Sequence, residues 1–389
     1  MTNDQIMTIE EILTKLVSFP VLGGESNLSI LSWIEEYLDK HGVEHHRVPN
    51  EDGTKANLHC RIGPEAEGGV ILSGHMDVVP VKGQAWDTDP WVLTDKQDGK
   101  LYSRGSCDMK GFVACCLAAL PAMLKADLKT PIYFAFSYDE EIGCLGAPDL
   151  VKAINTHYKV KPKFAIIGEP TMMRPVTGQK GICIFETAVS GSEGHSSRIK
   201  QEVSAIHEAM RLILWLENKM NSLIEAGRTD DRFTPNHTSI HIGMVNGGIA
   251  PNVIAQECKF SWDVRTIPSE TPQEIKAEFD LYCREHEAEL RKIHPDFKIS
   301  TSNVHPAVPG LNTANDQEVV DLVKDLVRNP KLDAVSYAAE AGQFAEGGFQ
   351  AVICGPGDIA QAHRANEFIH KDQLVQGMEF MDKLIQKLS

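Results

Sequence analysis

The chain has 389 residues, 42% hydrophobic and 24% charged, a balance that excludes collagen-like, coiled-coil and disordered classes. At roughly 100–200 residues per domain it is long enough for two domains. With 54 acidic and 38 basic residues the formal charge is −16, which argues against nucleic acid or an anionic membrane as a partner.

The start, MTNDQIMTIEEIL, lacks the basic and apolar stretches of a signal peptide. Thr8 and Glu11 have capping-box spacing ahead of the apolar run Ile12, Leu13, Leu16, Val17. Asn27 is placed to cap a second helix that has Ile30, Leu31, Ile34 and Leu38 on one face and Gly42 as its stop. Apolar strands then alternate with helices. Gly69–Ser73, Ile132–Ser137, Phe164–Ile167 and Ala351–Cys354 read as strands, and Gly111–Lys125 and Pro148–Asn155 as helices. This alternation predicts an α/β fold with a largely parallel sheet flanked by helices. No run approaches the ~20 apolar residues of a membrane span; Phe112–Leu124, interrupted by Pro121, reads as a buried helix.

The middle of the chain changes rhythm. Ile182–Ser190, His237–Met244, Cys258–Ile267 and Phe297–Val304 read as strands, with helices over Ser204–Met220 and Gln273–Ile293. The order β-α-β-β-α-β is the split, ferredoxin-like arrangement. It predicts an α+β domain at 182–308 inserted into a first domain made of 1–181 and 309–389. Nine cysteines without a CxxC spacing point to free thiols and a reducing cytoplasm.

No Walker P-loop, GxSxG, GxGxxG or HExxH is present. Metal-ligand residue types recur instead at strand ends: His75 and Asp77 after GGVILSG, Asp139-Glu140-Glu141 after PIYFAFSY, Glu169 in FAIIGEP and His363 after AVICGPG. Asp108 adds a further carboxylate just before a helix. Singly, each is a turn or cap residue. Together they aim carboxylates and imidazoles at one rim of the sheet, where ligands of such sheets bind. Three carboxylates and two imidazoles form a mixed donor set suited to zinc, manganese or cobalt, and converging carboxylates need a cation to offset their repulsion.

The segments SGHMDVVP, SRGSCDMKG, SYDEEIG, IIGEP, GHSS and QAHRANEFI, in this order, resemble the dinuclear metallo-hydrolases that include deacetylases, desuccinylases, aminoacylases and carboxypeptidase relatives. The resemblance implies a catalytic domain with an inserted lid and dimerisation domain. It also implies two divalent ions, zinc ahead of cobalt. His75, Asp108 and Glu169 would hold one, and Asp108, Glu141 and His363 the other. Glu140 is then the general base, and His195 of GHSS donates to the oxyanion across a homodimer. A cis peptide follows Asp108. Asp77 is expected to accept a hydrogen bond from the second nitrogen of His75 and fix its tautomer. For Glu140 and Glu141 to face the ions together a turn is needed, which Gly143 permits.

PVTGQKG, GGIAPNVI to DVRTIP, AEAGQF and CGPGDIAQAHRANEFI point to the branch that hydrolyses N2-acetyl-L-ornithine. Desuccinylation of N-succinyl-L,L-diaminopimelate and general N-acyl-amino-acid or dipeptide hydrolysis are the alternatives, and a non-catalytic binding protein on the same fold the remote one. By the resemblance Arg265 and Asn252 contact substrate; without it they read as a surface ion pair and a turn residue. Glu340 is a candidate partner for a cationic substrate side chain. Cys107, Cys115 and Cys116 read as packing, and His45, His46 and His370 as surface.

Overall fold

A computed structural model describes residues 7–389. The first six residues, part of the leader reading above, lie outside the described residues. The chain divides into two compact units: one runs up to Gly178 and resumes as Leu311–Ala334 and Ala339–Ser389, and the other is Gln179–Gly310 with Val335–Ala338.

The first unit is built on a mixed sheet. Its centre is four parallel strands, in the order Ile132–Ser137, Val70–His75, Phe164–Pro170, Gln350–Gly355. These are the four strands expected from the sequence. Ile132–Ser137 and Val70–His75 are buried at every residue, as strands covered on both faces must be. The flanks are antiparallel: Ala56–Ile62 and then His45–Pro49 on one side, Val176–Gln179 on the other. Helix Lys110–Lys125 is buried on most of its surface and continues through Pro121.

Thr8 and Glu11 form the expected capping box, with the Thr8 amide donating to Glu11 Oε2 at 2.8 Å. Asn27 departs from expectation. It sits at the cap position of Leu28–Lys40 but makes no cap bond. Its buried amide group pairs with the backbone of Ala56, donating at 2.8 Å and accepting at 3.0 Å. An unpaired strand amide in the interior costs more than an uncapped helix end, so the side chain serves the strand.

His46, expected at the surface, is half-buried and packs against His157 with the rings tilted at 45° and their centroids 3.9 Å apart. His59 completes the group at 5.3 Å from both, and its Nδ1 lies 2.9 Å from the Tyr158 hydroxyl. Burial, with His46 and His157 alongside, lowers the His59 pKa to about 3. The folded state therefore keeps this ring neutral, while the unfolded chain binds a proton below the ordinary value of 6.5. The stability that this neutrality contributes is full above pH 6.5 and is lost as pH falls towards 3. Between pH 7 and 5 the expected loss is about 2 kcal/mol. Thermal melts at the two pH values check this: His59→Asn, which keeps a partner for Tyr158, should flatten the dependence, and an unchanged slope would contradict it.

The second unit is a four-stranded antiparallel sheet in the order Ser239–Gly247, Glu257–Thr266, Gly181–Ser190, Lys298–Asn303. With helices Ala205–Glu225 and Pro272–Leu290 this is the ferredoxin-like order. Alternate residues of Gly181–Ser190 are buried, and Phe185, Phe260, Trp262, Leu212, Leu216 and Phe279 share one core. Ile182 and Val308, the expected limits of the insertion, exchange both backbone hydrogen bonds at 2.9 and 2.8 Å.

Candidate metal centre

In the first unit, His75 ends one central strand and Glu169 lies at the end of the next. The strand Ile132–Ser137 runs into Asp139-Glu140-Glu141, and Asp108 precedes helix Lys110–Lys125 across a cis Asp108–Met109 peptide. Gly168 lets that helix approach: a Cβ there would lie 2.0 Å from the Phe112 ring. The side chains converge. His75 Nε2 lies 3.2 Å from Asp108 Oδ1, 3.7 Å from Glu169 Oε1 and 3.9 Å from Glu140 Oε2. His363 Nε2 lies 2.9 Å from Glu141 Oε2 and 3.3 Å from Asp108 Oδ2. Asp108 thus turns one oxygen to each imidazole.

The turn that brings Glu140 and Glu141 to the same cluster begins earlier than Gly143. Asp139 itself is left-handed, with φ 55°. Its carboxylate accepts the Gly24 amide at 2.8 Å and pairs with Lys55. Gly143 and Cys144, also at positive φ, close the turn by donating to the Glu140 carbonyl. Asp77 corrects a second expectation. His75 Nδ1 meets the backbone carbonyl of Asp77 at 2.9 Å, while the Asp77 carboxylate stands at 3.7 Å. That carboxylate accepts the Glu140 and Glu141 amides at 3.2 and 3.1 Å. A carbonyl can only accept, so the Nδ1 proton is still fixed and Nε2 left as a lone-pair donor. Asp77 acts on the acidic turn instead.

Glu340 is 1% exposed; Ser73 Oγ donates to its Oε2 at 3.3 Å, so it sits beneath the cluster rather than on an open surface. Cys144, not singled out from the sequence, places its thiol 3.5 Å from Glu140 Oε1 as a donor. Burial raises the Cys144 pKa well above its usual value, so the thiol keeps its proton. Cys107 is buried and contacts the Asp358 carbonyl, which agrees with packing.

Asp77, Asp108, Glu140, Glu141, Glu169 and Glu340 bring six carboxylates to two imidazoles. Burial and neighbouring charges push Glu140 and Glu169 well above the usual carboxylate range, and burial with Asp108 raises Glu141 to about 7. The same acids hold His75 above its usual value against burial, and Asp108 and Glu141 raise His363 to about 10. Glu140, Glu141 and Glu169 favour neutrality, whereas the two imidazoles favour positive charge and hold Asp108 below the usual carboxylate range, a set of groups suited to sharing cations. Glu169 Oε1 is buried with no hydrogen-bond partner. Ligand atoms of His75, Asp108 and Glu141 lie within 4.8 Å of one another, as do those of His75, Glu140 and Glu169. The residues present fit divalent ions of the zinc and cobalt kind.

His195, Asn252 and Arg265 all belong to the second unit. His195 is exposed, with Nδ1 held by the Ser197 hydroxyl at 2.9 Å, which leaves Nε2 outward. Its backbone pairs with Val253, and the Ser196 amide donates to the Asn252 carbonyl at 3.1 Å. Arg265 is 40% exposed and 3.7 Å from Asp263.

A family model described as peptidase family M20/M25/M40 matches residues 71–387. An acetylornithine deacetylase of Myxococcus xanthus is 34% identical over 378 residues, 96% of this chain and 95% of that protein. Among solved structures, a tripeptidase from Staphylococcus aureus superposes with a TM-score of 0.75 at 20% identity, over 97% of this chain and 98% of the other. A dinuclear metal binding peptidase of the M20 family from Bacillus subtilis gives 0.66 at 15%, over 98% and 97%. Fold and sequence together define a metal-dependent hydrolase of amide bonds. The chain belongs to peptidase family M20/M25/M40.

Proposed function

We propose that this chain hydrolyses N2-acetyl-L-ornithine to L-ornithine and acetate, a step of arginine biosynthesis, in the reducing cytoplasm. The convergence of Asp108, Glu140, Glu141 and Glu169 on two imidazoles carries the catalytic reading. The substrate rests on the relative of that name, similar over nearly the whole of both chains.

In this reading His75, Asp108 and Glu169 hold one divalent ion, and Asp108, Glu141 and His363 the other. When bound, such a pair lowers the pKa of water and offsets the charge that builds on the amide oxygen. Glu140 takes the proton from water as it attacks the acetyl carbonyl, and later returns it to the leaving amine. Asp77 holds the backbone of both glutamates, and the Cys144 thiol orients Glu140. His195 donates to the oxyanion from the partner's inserted unit in a homodimer; its exposed ring suits that use. Arg265 and Asn252 anchor the substrate carboxylate and acyl group.

Steady-state comparison of acetylornithine, acetylmethionine and N-succinyl-diaminopimelate on zinc- or cobalt-loaded protein tests the choice. Acetylornithine is expected to lead in kcat/KM by roughly tenfold or more. Preference for the succinylated substrate would reject it.

A further inference from the structure

The segment carrying His363 has little packing to hold it. The His363 side chain is 57% exposed, and both His363 and Asn366 are left-handed, at φ 61° and 56°. Side chains avoid that backbone state unless their surroundings impose it. What imposes it is a chain of polar contacts that starts in the interior. Glu367 is fully buried and Arg104 is 1% exposed, with Nη1 donating to Glu367 Oε2 at 2.6 Å. The other carboxylate oxygen accepts the amides of Cys107 and Asp108 at 2.9 and 3.1 Å. Arg104 Nη2 donates to Gln84 Oε1 at 2.6 Å, and that oxygen also accepts the Trp86 indole at 3.1 Å. Gln84 Nε2 then donates to the His363 carbonyl at 2.9 Å. Two further bonds, Asp87 amide to Asn366 Oδ1 at 2.9 Å and Asn366 Nδ2 to Asp87 Oδ2 at 3.1 Å, tie the same two loops.

A buried ion pair is weak evidence for stability, because desolvation offsets most of its attraction. This pair fixes geometry. One end grips the backbone of Asp108, and the other, through Gln84, grips the backbone of His363. We propose that Glu367, Arg104 and Gln84 are positioning residues that set the separation of Asp108 and His363. They thereby govern the affinity of the ion these two share with Glu141. The inference rests on the ligand assignment proposed above.

Gln84 is the test position because it lies towards the surface, outside the buried pair. Gln84→Ala removes every contact. Gln84→Glu keeps an acceptor for Arg104 and Trp86 but cannot donate to the His363 carbonyl. Chelator-stripped protein is titrated with Zn2+ by calorimetry. Wild type should show two binding steps, and in both variants one step should fall about 10–100-fold with the other unchanged. On acetylornithine, kcat should fall with the affected step and KM should stay within about twofold. Wild-type affinities in both variants, equal weakening of both steps, or a Gln84→Glu variant that behaves as wild type would each overturn the relay. A wild-type chain that takes up no Zn2+ would overturn the ligand assignment, and the relay with it.

Discussion

Glu140→Gln is expected to lower kcat by roughly 10²–10⁴-fold while the protein still takes up its metal ions. Glutamine has nearly the same shape, and the backbone at this position is fixed from outside by the Asp77 carboxylate. The Cys144 thiol can donate to an amide oxygen as it does to Glu140 Oε1. What is lost is the ability to accept a proton and return it. The two measurements are the hydrolysis rate and the metal content of the same sample. Unchanged hydrolysis with the ions retained would remove Glu140 from its role, and hydrolysis lost together with the ions would make it a ligand. The second outcome has a structural basis to be tested against, because Glu140 shares a potential ligand group with His75 and Glu169.

Stripping the protein with a chelator is expected to abolish hydrolysis and to lower Tm by several degrees, both reversed by Zn2+ or Co2+. Without cations the carboxylates that meet at His75 and His363 repel one another, and two of them are driven well above their usual pKa range. An ion that binds only the folded state stabilises it by about 4 kcal/mol at a thousandfold excess over Kd. Asp108→Asn removes the residue that faces both imidazoles, so it should lose both the activity and the metal-dependent rise in Tm. Scanning calorimetry with and without added ions is sufficient. Identical melting in the two states would mean that the cluster holds no cation.

The sequence made the central strands legible because each is a short apolar run, and in three of the four an acid or histidine follows within two residues of that run. The flanking strands were not legible for a related reason. Ala56–Ile62 is buried at nearly every residue although it contains Asn57, His59 and Arg61. Two of those polar groups find partners far along the chain: Asn57 at Gly146 and Tyr138, and His59 at Tyr158. Spacing along a sequence carries no trace of such pairs. The same limit hid the relay from Glu367 to Gln84, whose members are separated by up to 283 residues and belong to loops without periodic pattern. Most of the candidate ligands were readable because they follow apolar strands, and Asp108 because it precedes an apolar helix. Asp77 was readable as a neighbour of His75, but which of its oxygens met the ring depended on backbone geometry that residue order does not encode.

The paired backbones of Ile182 and Val308 have a wider meaning. The ferredoxin-like excursion departs and returns through a single doorway two hydrogen bonds wide. Chain ends held this close make a segment easy to splice out or exchange. Replacing this cassette therefore need not disturb the strand order that gathers the carboxylates.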